Sequence, residues 1–320
     1  MVWPIRRAKR FEMLNRSSVI TILMASVLIV VSLAFAQGER SQQGAAAKAQ
    51  KETATDQKSG PAPRHDISGT WAPANGPSDG IQANGVKAMP NDGKPEHQLP
   101  YTPYGLQLYK SHHALEGADA VLPGQFNDPR DKCEPLGFPR MNFYNLRETQ
   151  ILQNDYKIAM LYEYGTAWRV IWTDGRPLPK VVEGGVQIGS EVKEPRYYGY
   201  SVGKWVDDTT LTVETTGMMG EDRVWLDTAG RPISDKLRVE ERFHRVDRNH
   251  LEWSVTIDDP KIYTKPWVAM KNFPMVLEDA HRDVMEQYCS PSEMERYNQL
   301  FGDPSSGGGA SGEGAHAPER

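Results

Sequence analysis

The chain is poor in cysteine and in net positive charge. Its 320 residues include only two cysteines, and 42 acidic side chains outnumber 37 basic ones. Two thiols cannot supply the four ligands of a structural zinc site. A net charge of −5 argues against the concentrated positive surface that nucleic-acid binding requires. We therefore expect no nucleic-acid partner.

Signatures of common metal- and nucleotide-dependent enzymes are also missing. The chain contains no HExxH motif, no phosphate-binding loop and no dinucleotide fingerprint. Glu241 and His244 match the Glu-x-x-His pattern of helical di-iron proteins. On a strand, this spacing places the two side chains on opposite faces, so the pattern does not predict a metal site. We expect neither a metal nor a cofactor.

Long hydrophobic runs are absent except for one at the N-terminus. Five basic residues precede the uncharged stretch 17–36, which ends in Ala34-Phe35-Ala36, a small-x-small cleavage pattern. This predicts a secretory signal peptide at 1–36 and a periplasmic or extracellular protein with no transmembrane span. The alternative is an N-terminal anchor in the inner membrane, because the run is near the length that a bilayer requires.

Two polar stretches flank one predicted domain. Residues 37–64 lack large apolar side chains and cannot bury enough surface to offset the entropy of ordering. Residues 303–320 are rich in Gly and Ser and predict a flexible tail. We therefore expect a disordered linker at 37–64, a single β-rich domain at 65–302 and a disordered tail at 303–320.

Alternating apolar and polar residues predict two hairpins at the centre of that domain. Residues 199–206 and 210–216 flank one loop, and residues 237–244 and 251–257 flank the other. Three-residue loops place Trp205 opposite Leu211 and Phe243 opposite Trp253. Asn249 is expected in the left-handed conformation that such a loop uses.

The remaining pattern predicts further strands at 149–152, 157–164, 168–173, 268–273 and 284–289. One helix is expected from Pro103, capped by Thr102 and ended by Gly117, with His112 and His113 in packed or surface roles. The fold class is therefore all-β: an antiparallel meander, barrel-like or a sandwich, with one short N-terminal helix and disordered ends.

Cys133 and Cys289 are expected to form a disulfide, because two cysteines in an exported chain most often pair with each other. The bond would connect the final strand to the start of the sheet. Closing so long a loop contributes roughly 5 kcal/mol in the chain-entropy model.

The sequence Gly-x-Ser-x-Gly at 199–203 matches the nucleophile pattern of α/β-hydrolases. Asp258 and His281 follow Ser201 in the order of a Ser–Asp–His triad. However, that nucleophile requires a strand-to-helix turn, and here a predicted hairpin follows. A serine hydrolase that uses Ser201, His281 and Asp258 is therefore the alternative hypothesis.

Gly69-Thr70-Trp71 resembles the first strand of calycin barrels, lipocalins among them, in which the Trp plugs the barrel end and the Gly permits a bend. Together with motifs at 173–177, 199–205, 225–227 and 258–267, it resembles an uncharacterised family of exported bacterial β-rich proteins. The resemblance covers about residues 65–290. It implies an exported β-rich domain and transfers no catalytic residues.

These observations favour a non-enzymatic β-barrel that binds a small apolar or aromatic ligand, or an envelope component. The expected site is an interior lined by aromatic side chains and one serine. Its candidate residues are Trp71, Tyr162, Trp172, Ser201, Trp205 and Trp253. A serine hydrolase and a structural envelope protein without a ligand are the alternatives.

The leader prediction can be checked directly. When the full chain is expressed in a Gram-negative host, we expect the protein in the periplasmic fraction to begin at Gln37. Intact-mass measurement and N-terminal sequencing would show the start. Recovery of the uncleaved chain in the membrane fraction would support the anchor instead.

Overall fold

A computed structural model describes residues 60–75, 85–86, 89–90, 93–143, 148–180, 182, 196–220 and 223–297. The predicted signal peptide, residues 37–59 of the predicted linker and the predicted tail lie outside these ranges. Within them, no helix is both long and apolar enough to cross a membrane.

Nine strands close into a barrel, which confirms the predicted β-rich class. Around the barrel the order is β1-β11-β10-β9-β8-β7-β6-β5-β4, and β4 pairs with β1. The strands are β1 Gly69–Pro73, β4 Thr149–Gln153, β5 Lys157–Tyr162, β6 Ala167–Trp172, β7 Tyr200–Trp205, β8 Thr210–Thr216, β9 Arg238–Arg245, β10 His250–Asp258 and β11 Trp267–Leu277. The short strands β2 Gly85–Val86 and β3 Met89–Pro90 pair separately.

The helices are short. They are α1 Pro103–Ser111, α2 Arg140–Phe143 and α3 Pro291–Tyr297, with 3-10 turns at Pro95–His97, Pro123–Gln125, Pro129–Lys132 and Tyr164–Thr166. Thr102 caps α1 as predicted, because its Oγ1 accepts from Gly105 N at 2.9 Å. The predicted end at Gly117 is wrong. His112 is extended, and its Nδ1 lies 2.7 Å from Gly230 O while its ring stacks on Trp225.

Both predicted hairpin registers are confirmed. Trp205 pairs with Leu211, and Phe243 pairs with Trp253. The conformation predicted for Asn249 is wrong, because Asn249 does not have a positive φ. Instead, the Asp247 carboxylate organises the loop by accepting from the backbone N–H groups of Asn249 at 2.8 Å and His250 at 2.9 Å.

The barrel departs from an antiparallel meander at one place. β6 and β7 run parallel and share a ladder of only two residue pairs, Ile171 with Ser201 and Trp172 with Val202. Parallel neighbours need a long connection, and residues 173–199 separate the two strands in the sequence. In the described part of the chain, residues 167–170 of β6 therefore pair with β5 but not with β7.

The strand predicted at 284–289 does not form. β11 already pairs with β10 on one side and with β1 on the other. A closed barrel has no free edge at this position, so a further strand has nothing to pair with. Residues 278–290 run irregularly until α3 begins.

Each end of the barrel is plugged by aromatic side chains. At the end formed by the hairpin loops, Trp71 is fully buried, and the Arg245 guanidinium lies 4.9 Å from the centre of its ring. Gly69 has a φ of +132°, and a side chain there would collide with Leu277. At the other end, Phe138 and Phe143 from the α2 region are buried, and Phe143 packs on Trp253.

The turn after β10 depends on a buried carboxylate. Asp259 accepts from the N–H and hydroxyl of Ser234 at 2.6 and 2.7 Å, and from Lys261 N at 3.2 Å.

We expect Asp259→Ala to lower the free energy of unfolding by about 2–3 kcal/mol, because it leaves these buried donors without an acceptor. Asp258→Ala, at the half-buried neighbour, is the control and should cost less than about 1 kcal/mol. Urea denaturation would measure both; equal losses would contradict this role.

Candidate functional site

A buried ion pair occupies the interior of the barrel. Arg169 projects inward from β6 and Glu241 projects inward from β9, and their side chains are 1% and 0% exposed. Arg169 Nη2 donates to Glu241 Oε2 at 2.5 Å, and Nη1 donates to Oε1 at 3.1 Å. This two-point contact matches the fork of a guanidinium to a carboxylate. Burial lowers the pKa of Arg169, but the Glu241 charge, the neighbouring Tyr162 and the hydrogen bonds to both together outweigh burial, and the pKa is raised.

Neighbouring polar groups satisfy the rest of this pair. Arg169 Nε donates to Ser201 Oγ at 2.9 Å, and Nη2 donates to Thr215 Oγ1 at 2.7 Å. The indole N–H of Trp253 donates to Glu241 Oε1 at 3.2 Å. We call these five residues the interior polar cluster. Because both charged groups keep hydrogen-bond partners, the pair can remain ionised without water.

Tyr162 lies next to the cluster. Burial raises the pKa of Tyr162 to about 12, so its hydroxyl stays protonated and donates to Asn142 Oδ1 at 3.0 Å. Asn142 belongs to α2. This hydrogen bond therefore connects the barrel wall to the helix that plugs this end of the barrel.

The structure brings four of the six predicted ligand residues into the barrel interior. Trp71, Tyr162, Ser201 and Trp253 are all buried there, in contact with protein groups. Trp205 lies at the end formed by the hairpin loops and stacks on His65, with ring centres 5.0 Å apart. Trp172 lies on the outer side of β6, where the Arg176 guanidinium is 3.6 Å from its ring centre.

Each residue of the Gly-x-Ser-x-Gly pattern has a structural explanation. Gly199 has a φ of +62° at the entry to β7, and a side chain there would collide with Met218. Gly203 lies so close to Ile171 that an added Cβ would be 2.9 Å from its Cγ2. Ser201 is the second residue of β7, is 1% exposed, and forms hydrogen bonds with Arg169 and Thr215. This is not the exposed strand-to-helix turn of a hydrolase nucleophile.

The proposed triad partners lie elsewhere. His281 is exposed in the segment after β11, where its backbone N–H donates to Asp279. Asp258 ends β10 opposite Arg238. The hydrogen-bond partners of the Ser201 hydroxyl are therefore a guanidinium and a threonine, and neither is a general base.

An aromatic cleft opens beside the point where β6 and β7 diverge. We call it the side cleft; its volume is about 730 Å³. Leu136 and Met141 lie on its walls, and Arg169 connects it to the interior polar cluster. Its aromatic residues come from three stretches of the chain, 164–172, 197–200 and the segment after β11. They are Tyr164, Trp168, Trp172, Tyr197, Tyr198, Tyr200 and Tyr288.

Charged groups also lie on the wall of the side cleft. Arg130 and Arg196 are on it, together with Glu134. Glu134 accepts from the Tyr197 hydroxyl and from Arg223 Nη2, the latter at 3.1 Å. Burial would raise the pKa of Glu134, but these two hydrogen bonds outweigh it and hold the pKa below its usual value. Burial also raises the pKa of Tyr198, so that phenol stays neutral.

The predicted disulfide between Cys133 and Cys289 is confirmed, with Cα atoms 5.5 Å apart. Cys289 is not in a strand, so the bond connects the C-terminal segment, rather than a final strand, to the 3-10 turn Pro129–Lys132. Both cysteines lie on the wall of the side cleft.

Comparison of the chain with protein-family models, curated proteins and solved structures found no match. The resemblance to exported bacterial proteins is therefore not confirmed. The closed nine-stranded barrel agrees with a calycin-like fold only in general architecture. In the described ranges, no group of three or more His, Cys, Asp or Glu side chains could hold a metal ion.

One feature of the sequence indicates the interior polar cluster. In β9, Glu241 occupies the inward phase of the alternation between Val239 and Phe243. A carboxylate in that phase must find a buried partner. By contrast, no local pattern could identify the side cleft, because its residues come together only when the barrel closes.

The cluster yields a stability prediction. Glu241→Gln leaves the Arg169 guanidinium buried and uncompensated, so we expect it to lower the free energy of unfolding by about 3–5 kcal/mol. The double variant Arg169→Met/Glu241→Leu should recover most of this loss, because it removes both charges.

The exposed pair of Arg238 with Glu214, 2.7 Å apart on β9 and β8, is the matched control. Glu214→Gln should cost less than about 1 kcal/mol. Chemical denaturation of the four proteins provides the measurement. A Glu241→Gln loss no larger than that of Glu214→Gln would contradict the importance of the buried pair.

Proposed function

We propose that this protein is an exported, non-enzymatic β-barrel that binds a small aromatic ligand in the side cleft. The observation that carries the proposal is the group of seven aromatic side chains around one cleft of about 730 Å³. Pockets for small molecules typically measure about 300–1,000 Å³ and are lined mainly by apolar and aromatic groups. The cleft therefore has the size and chemistry of a ligand site.

The exposure of the cleft aromatics supports this role. Trp168 is 64% exposed although it is among the largest apolar side chains of the barrel. It follows Ala167 in the part of β6 that does not pair with β7. A large exposed indole on the rim of a cleft gains stability when a ring packs against it, because aromatic pairs attract beyond the area they bury.

Two arginines indicate which aromatic ligands fit best. Arg130 and Arg196 lie on the cleft wall, and guanidinium groups bind carboxylates and sulfonates and also stack on rings. The preferred ligand is therefore a flat aromatic molecule that carries an anionic group. The interior residues proposed from the sequence connect to this site through Arg169, which bonds to Ser201 on one side and borders the cleft on the other.

Export rests on two independent features. The uncharged stretch 17–36 with its basic flank has the composition of a secretory leader. The disulfide between Cys133 and Cys289 is of the kind that persists in oxidising compartments. Together they support a periplasmic or extracellular protein.

The ligand proposal is tested with anilinonaphthalene sulfonate, an anionic aromatic fluorophore. We expect saturable binding and a rise in melting temperature with probe concentration. The neutral analogue N-phenylnaphthylamine should bind more weakly because it lacks the group that the arginines attract. Trp168→Ala should weaken binding of the sulfonate about three- to ten-fold, because it removes one aromatic contact.

Tyr156→Ala is the matched control, since Tyr156 is also 64% exposed but does not line the cleft. It should leave the affinity unchanged. Equal effects of the two variants would place the probe outside the cleft. Failure of the wild-type protein to bind either probe would favour the structural envelope protein without a ligand. If a fluorophosphonate labels the wild-type protein and this labelling is lost in Ser201→Ala, the serine hydrolase hypothesis would be supported instead.

A further inference from the structure

One edge of β6 opens onto the side cleft. Thr173 N, just after β6, donates to Tyr156 O, just before β5, at 2.8 Å. Because bonding residues alternate along an antiparallel ladder, the odd-numbered residues of β6 bond to β5 and the even-numbered ones point towards β7. The ladder with β7 begins only at Ile171. Trp168 N–H and C=O and Val170 N–H therefore point away from β5, where no strand pairs with them in the described part of the chain.

The chain on the far side of the gap is bonded elsewhere. Before β7 begins, Tyr197 O accepts from Phe138 N at 2.8 Å. The edge at residues 167–170 is also accessible, because Trp168 is 64% exposed and Val170 is half-buried. An accessible strand edge, with its row of N–H and C=O groups, is a template for a further strand.

The outer face of this edge suits an aromatic side chain. Arg169 points into the barrel, so Trp168 and Trp172 project outward, and both line the cleft. In a strand added here, the residue opposite Trp168 would project its side chain outward beside the indole, close enough for two rings to pair. Tyr198 and Tyr200 lie on the same wall. The cleft therefore offers partners for both the backbone and the side chains of a peptide.

The charge of the wall favours a peptide that carries an acidic group. Arg130 and Arg196 lie on the wall, and guanidinium groups bind carboxylates. Among the described wall residues the one carboxylate is Glu134, which already accepts from Arg223 Nη2 at 3.1 Å. An acidic side chain or a free C-terminal carboxylate would complement this wall.

We propose that the side cleft binds an extended peptide, which adds to β6 as a strand at residues 167–170. Its aromatic side chain packs beside Trp168, and its acidic group meets the arginines of the wall. This inference rests on the proposed function and narrows the ligand class, because the aromatic ring and the anionic group then belong to one peptide. Three edge groups of β6 supply main-chain hydrogen bonds, and alternate side chains supply specificity.

The first experiment uses the purified full chain and the peptide acetyl-Thr-Phe-Thr-Phe-Thr with a free C-terminal carboxylate. Isothermal titration calorimetry measures its affinity. Every second N–H of an added strand faces β6, so N-methylation of one alternate set, either the phenylalanines or the threonines, should weaken binding at least ten-fold. N-methylation of the other set should weaken it less than two-fold. Equal effects of the two sets would overturn the inference, because the cleft would then contact side chains alone.

The second experiment changes one N–H group of the protein. Val170→Pro removes the N–H that points away from β5, and it leaves the ladder with β5 intact. Val170→Ala is the matched control, because it shortens the side chain and keeps the N–H. Val170→Pro should bind the peptide at least five-fold more weakly than Val170→Ala, and equal affinities would contradict the added strand. Circular dichroism checks the folding of both; if Val170→Pro does not fold, the N-methylated peptides decide.

The outcomes separate this inference from the proposed function. If anilinonaphthalene sulfonate binds and the peptide does not, the inference fails and the small-ligand proposal stands. If the peptide binds with the alternating N-methylation pattern and the sulfonate does not bind, the small-ligand proposal fails and the cleft is a peptide site. If neither binds, both fail. A wild-type dimer that dissociates in Val170→Pro but not in Val170→Ala, seen by analytical ultracentrifugation, would assign the edge to a second copy of the chain and overturn the inference.

Discussion

The structure depends on one ion pair in a space that excludes water. Arg169 and Glu241 face each other across the barrel interior, and each carries a charge that would be unstable there alone. Their geometry requires β6 and β9, which are separated by β7 and β8, to face the same closed interior. It also requires the small hydroxyl residues Ser201 and Thr215 on the strands between them. The pair thus selects one arrangement of the barrel, in which its interior is filled by polar as well as aromatic groups.

The same pair explains why the side cleft lies on the outside of the barrel and not in its interior. Trp253 donates to Glu241, and Phe138 lies against the Arg169 guanidinium, 3.8 Å from ring centre to Cζ. The aromatic side chains of the interior therefore pack against the cluster or close the barrel ends, and they do not line an internal cavity. Space for another molecule is left beside β6, where the two-residue ladder with β7 ends and the wall divides.

The sequence pattern predicts those parts of the fold that depend only on neighbouring residues. Alternation and loop length were sufficient for the registers of Trp205 with Leu211 and Phe243 with Trp253, because a hairpin register depends on a few adjacent residues. The parallel pairing of β6 with β7 depends on the path of the intervening chain, which no alternation encodes. The end of α1 at Ser111 depends on the contact of His112 with Trp225, a residue far away in sequence. The cleft combines residues from five separate stretches of the chain, so only the closed barrel reveals it.

The disulfide has a mechanical consequence. The covalent ring from Cys133 to Cys289 contains strands β4 to β11, whereas β1 is outside it. β1 is held in the barrel by three residue pairs with β11 and three with β4. A force applied to the N-terminal end of the chain therefore loads β1 first, and the strands within the ring remain joined. Under tension the barrel yields where β1 pairs with its two neighbours, and the other eight strands stay linked as a single body.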